Sequence, residues 1–162
     1  ENSFDNLIEA LEENDIDSDD FENSLVGLFS NEPDISYLEE ILHLITQVGY
    51  ANAYPNYFGE FKGSKISQAM DVARGGYFET PPQIYPKDAW YHYYDKSCEY
   101  SCMITEYFYW SLTSLLGAQI HRFEKISEEW ELNTPSKIKK DDLIIKLLTN
   151  PEFKIPKKLP KL

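Results

Sequence analysis

Residues 100–120 hold one charged side chain, Glu106, in an otherwise apolar and hydroxyl-bearing run. Stepping about 100° per residue from Ile104 puts Phe108, Leu112, Leu115 and Leu116 on one side and Met103, Tyr107 and Trp110 on the other. Apolar groups on nearly every side mark a helix buried in protein on most of its faces. Thr, Ser, Gln and Glu106 interrupt the run too often for a membrane span. Glu106 falls between Tyr109 and Trp110. A buried carboxylate costs several kcal/mol or shifts its pKa, so Glu106 has to reach water, a hydrogen-bonding partner or a cation.

A chain of 162 residues that contains such a helix is expected to be all-α. It reads as one domain, 1–162, with about six helices around the central one. Phe4, Leu7, Ile8 and Leu11 form the stripe of a short helix over 3–13. Ser18 caps a second helix that runs to Phe29, with Asp19, Asp20 and Glu22 at its positive end. Pro33 opens a third over 34–48. A fourth, 64–74, is ended by Gly75-Gly76. The central helix runs from 98 to 116 and on toward Phe123, residues 127–131 add a turn, and 140–149 is the last amphipathic helix. The proline-rich tail, 151–162, is expected to be extended. Two aromatic segments, 50–62 and 77–97, read as irregular, and the second as a long loop packed by its own rings.

The net charge of −13 excludes a generic nucleic-acid binder, which needs a basic face. The charge is unevenly placed. Residues 1–61 carry fifteen acids and no Lys or Arg, whereas the last nine residues carry four Lys and no acid. This asymmetry suits a basic partner, divalent cations, docking of the tail, or a solvated acidic surface. The chain begins at Glu1 without a charged-then-apolar leader. That fits a processed, secreted product or a piece of a longer protein. Cys98 and Cys102, at i, i+4, are a disulfide candidate; two reduced thiols are the alternative.

The partners for Glu106 that the pattern offers lie on the third helix. Glu39 and His43 stand one turn apart beside its core stripe of Ile35, Leu38, Leu42 and Ile45. Together with Glu106 they make a candidate divalent-metal site, for zinc or calcium. Glu40-x-x-His43 has the Glu-x-x-His spacing of di-iron bundles, but no second copy of the motif exists. A Glu/His pair supporting its own helix is the simpler reading of the same residues. The string Glu39-Glu-Ile-Leu-His43, with Ala53-Tyr-Pro55 and Glu106-Tyr-Phe-Tyr-Trp110, resembles a group of uncharacterised exported microbial helical proteins. Their helix reads His-Glu-x-x-Glu-His-x-x-His, and a Glu-Tyr-x-Tyr-Trp segment follows. Glu39 and His43 match that pattern, while Ile35, Ser36 and Glu40 replace its other His, Glu and His. The resemblance implies a metal-binding, zincin-like helix. In a hydrolytic version Glu39 or Glu106 would be the general base and His43 a ligand.

Asp15-x-Asp17-x-Asp19 opens like a calcium loop, but Val26 stands where the bidentate Glu belongs, so capping is its expected role. Trp90, Tyr91, His92, Tyr93 and Tyr94 form a candidate binding surface for a protein or a glycan. No nucleophile elbow and no phosphate loop is present. Two functions follow as expectations. The first is an exported acidic helical domain with a cation site. The second is a non-enzymatic interaction or assembly module, able to form homo-oligomers, that uses the acidic N-terminal half and the aromatic loop.

Overall fold

The structure, a computed structural model, describes residues 36–159. The expected helices at 3–13 and 18–29, and the Asp15–Asp19 run, lie outside the described residues. The chain divides into two compact units, Glu1–Leu44 and Ile45–Leu162. In the first, α1 spans Ser36–Leu44.

The second unit is helical, and no strand forms among its described residues. It opens with a π-helical turn, Ile45–Tyr50. The β-branched Ile45, Thr46 and Val48, with Gly49, are weak α-formers, and Asn52 Nδ2 reaches the Gln47 and Val48 carbonyls at 3.0 and 3.1 Å. Two short helices follow, α2 (Ala51–Ala53) and α3 (Pro55–Phe58). The segment 50–62 expected to be irregular is therefore largely helical. Tyr50, Tyr54 and Phe58 recur every four residues, and their rings pack on one another and on Phe108 and Phe153 at 5.0–6.5 Å. Burial of that aromatic face outweighs the absence of a longer helical pattern.

Helix α4 spans Lys65–Ala73 and buries Ile66, Ala69, Met70 and Ala73, one face at helical spacing. Ser64 caps it by accepting from the Ser67 N–H. Ser64→Ala should cost about 1 kcal/mol in urea unfolding; a loss below a few tenths would show that the cap is idle. The helix ends as expected at Gly75 (φ 77°). Gly75 N–H donates to Val72 O and Gly76 N–H to Asp71 O, the paired bonds of a Schellman stop.

Helix α5, Tyr100–Leu115, is the long apolar helix, and thirteen of its sixteen residues are buried. It stops earlier than expected. Gly117 (φ 88°) turns the chain, with Gly117 N–H bonded to Ser114 O and Ala118 N–H to Thr113 O, a second Schellman stop. A short helix, α6, spans Phe123–Ile126, and the expected turn at 127–131 follows it, with the Glu129 and Trp130 N–H both donating to Ile126 O. After a 3₁₀ turn at Ile138–Lys140, α7 (Asp142–Thr149) buries Ile144, Leu147 and Leu148. The tail is not wholly extended. Asn150 caps a 3₁₀ turn at Pro151–Phe153 that buries Phe153 against the Tyr54–Phe58 cluster. Pro is tolerated at a first helical position, where its missing N–H has no partner to lose.

The loop 77–97 is packed by its own rings, as expected. It is pinned at both sides. Trp90 and Tyr91 N–H donate to Ala73 O, His92 N–H donates to Glu129 O, and Glu131 N–H donates to Trp90 O. Tyr91 and Trp130 form an isolated antiparallel bridge.

Candidate functional site

Glu39 and His43 lie on α1, four residues and one helical turn apart. Both side chains are partly buried. His43 Nδ1 is 3.9 Å from Glu40 Oε2, the i, i+3 contact also open to this pair from sequence. Burial lowers the His43 pKa to about 4, so the imidazole is neutral at neutral pH and keeps a lone pair for a ligand role. Because the folded pKa is depressed, the unfolded chain takes up the proton first, and stability falls as pH drops from about 6.5 to about 4. For metal-free protein the loss should approach about 3 kcal/mol. Burial raises the Glu60 and Asp71 carboxyls and works in the opposite direction. The His43 share is therefore the difference in urea-unfolding free energy between wild type and His43→Gln. A difference that stays flat across this window would contradict the assignment.

Glu106 lies on α5 in the second unit, with 8% of its surface exposed. Its neighbour Thr105 donates a hydrogen bond to Glu60 Oε1. Burial pushes the Tyr91 phenol well up, and the Glu106 carboxylate adds to that shift. The Tyr91 hydroxyl is already spent, donating to Met103 O at 3.0 Å. The central helix thus carries a sunken carboxylate on a face otherwise built of rings and hydroxyls.

The five residues expected to form a binding surface, Trp90, Tyr91, His92, Tyr93 and Tyr94, are mostly turned to structural use. Tyr91 is fully buried and stacks within 6.0 Å of Tyr107 and Trp130. Trp90 Nε1 donates to Asp141 Oδ2 at 3.1 Å. His92 contacts the Ala89 carbonyl through Nε2 at 3.1 Å. Tyr93 O and N–H both engage the Tyr85 hydroxyl. Only Tyr94 of the five is exposed. Cys98 and Cys102 form a disulfide at the start of α5.

Two buried charged groups had no forecast from the sequence. Asp141, 2% exposed, accepts from Tyr107 Oη at 2.6 Å, from Trp90 Nε1, and from Ile144 N–H at 3.2 Å. Arg74 is fully buried at the end of α4. Its Nη1 donates to Phe78 O at 3.0 Å, and the guanidinium lies over the Phe78 and Tyr85 rings. Its cation–π contacts were foreshadowed only by the density of rings in 77–94.

No family model, curated protein or solved structure matches this chain. Among the described residues, no helix is long and apolar enough to cross a membrane.

Proposed function

We propose that this protein binds one divalent cation through Glu39, His43 and Glu106. The observation that carries the reading is the donor set. It comprises a neutral imidazole, a carboxylate one turn away on the same helix, and a carboxylate sunk into a helix with no other charge. One imidazole and two carboxylates form a set that zinc accepts, and the nitrogen ligand favours zinc over calcium. Three protein ligands leave a tetrahedral ion one open position, the arrangement that permits a bound water. Both glutamates are ligands in this arrangement, so a glutamate acting as base on such a water would have to leave the ion, and hydrolysis is not part of the reading. The Cys98–Cys102 disulfide supports placing the protein in an oxidising, extracellular compartment.

Elemental analysis after dialysis against zinc should give one ion per chain. Calorimetry should show His43→Gln and Glu106→Gln each weakening zinc by about tenfold to a hundredfold or more, since losing a ligand costs at least as much as losing a group behind it. Zinc that binds both variants as it binds wild type would rule out this site.

A further inference from the structure

The second unit carries an open groove of about 300 Å³ between α3, α4 and α7. Tyr57, Leu143, Leu147 and Phe153 contribute apolar surface to it, Lys65 and Lys146 contribute charge, and none of its lining residues is acidic. Tyr57 and Leu143 are 38% and 41% exposed. Lys65 and Lys146 are exposed and have no ion-pair partner among the described residues. An apolar floor between two unneutralised ammonium groups selects an apolar side chain flanked by carboxylates.

That pattern is written in the acidic part of this chain. Within residues 1–61, which have no Lys or Arg, Phe21 is the one aromatic with an acid on each side, in Asp19-Asp20-Phe21-Glu22. We propose that the groove receives the Asp19–Glu22 segment of a second copy of this chain. Phe21 sits on the Tyr57, Leu143 and Phe153 floor, and the flanking carboxylates meet Lys65 and Lys146. Each copy carries both halves of the contact, so a two-fold pair can give a segment and receive one at the same time. A groove this small holds one anchor side chain, and engaging two such sites at once is what makes a weak contact effective. The aromatic loop 85–97 is not used, because of Trp90, Tyr91, His92, Tyr93 and Tyr94 only Tyr94 is exposed.

The test uses full-length chains, an equal mixture of ¹⁴N- and ¹⁵N-labelled protein, treated at low salt with a zero-length carbodiimide cross-linker. Expected are mixed-isotope peptides joining Lys65 or Lys146 to Asp19, Asp20 or Glu22. Sedimentation equilibrium should show a dimer that added salt dissociates. The Lys65→Glu/Lys146→Glu double variant should weaken the dimer by about tenfold or more through its rim charges. Phe21→Ala should do likewise through loss of the anchor. Both lysines are exposed, so unchanged circular dichroism and melting temperature serve to show that the double variant still folds. Same-isotope cross-links alone would mean that the segment occupies its own chain's groove. That result overturns the proposal, as does a monomer at every concentration or a dimer indifferent to both variants.

Discussion

Asp141→Ala should lose about 3 kcal/mol of stability in urea unfolding, with the loss falling on the second unit. Three donors converge on this carboxylate: the Tyr107 hydroxyl, the Trp90 indole N–H and the Ile144 amide. Removing an N-cap costs about 1 kcal/mol. The larger share comes from the donors left behind. Tyr107 is fully buried, so its hydroxyl cannot turn to water, and an unsatisfied buried donor costs about 1–3 kcal/mol. Asp141→Asn keeps the shape and an acceptor oxygen, and should lose less than half as much. The comparison separates a lost hydrogen-bond hub from a lost helix cap. If Ala and Asn lose equally, the hub contributes nothing beyond its charge. If Ala loses less than about 1 kcal/mol, only the cap matters.

The second large effect is expected at Trp130. Its ring is fully buried and packs on Tyr91 and Tyr107 with centroids 6.0 and 6.1 Å away. Its Nε1 donates to Ser114 Oγ on α5 at 2.9 Å. Trp130→Ala removes a large ring from a site walled by other rings, which cannot collapse around the gap, and should cost about 3–5 kcal/mol. The midpoint of thermal unfolding should fall by about 15 °C. Trp130→Phe retains most of the packing but strands the Ser114 hydroxyl, so its loss should be intermediate. A Trp130→Ala variant that melts within a few degrees of wild type would show that the loop 77–97 is held by its backbone bonds to Ala73 and Glu129 and not by its rings.

These two sites differ in how far they could be read in advance. The central helix was legible because burial on most sides leaves its mark on every consecutive residue. The stop at Gly75 was legible because a left-handed turn selects glycine. Gly117 carries the same mark, but the apolar residues that continue to Ile120 argue locally for a longer helix. The short helices at 50–58 left a fainter sign, the fourfold spacing of Tyr50, Tyr54 and Phe58. What stabilises them lies on Phe108 and Phe153, far along the chain. Asp141 looked like one more acid at the start of an amphipathic helix. Its donors are 34 and 51 residues away, and no local pattern points to them.

The candidate cation site divides the same way. Spacing placed Glu39 and His43 on one face of a helix and marked Glu106 as a carboxylate needing an explanation. The protonation state of His43 depends on how much water the fold leaves around it, and spacing carries no record of that. Sequence alone determined what is local: helix periodicity, glycine stops, the acidic run and the one charge in a buried helix. Tertiary structure decided which polar groups meet when water is removed. It paired Asp141 with Tyr107 and Trp90, laid Arg74 over Phe78 and Tyr85, and buried the rings of Tyr85 and Tyr91. The reason is physical. Periodicity is written within a few residues, whereas the cost of burying a polar group is settled by partners that only the folded chain brings near.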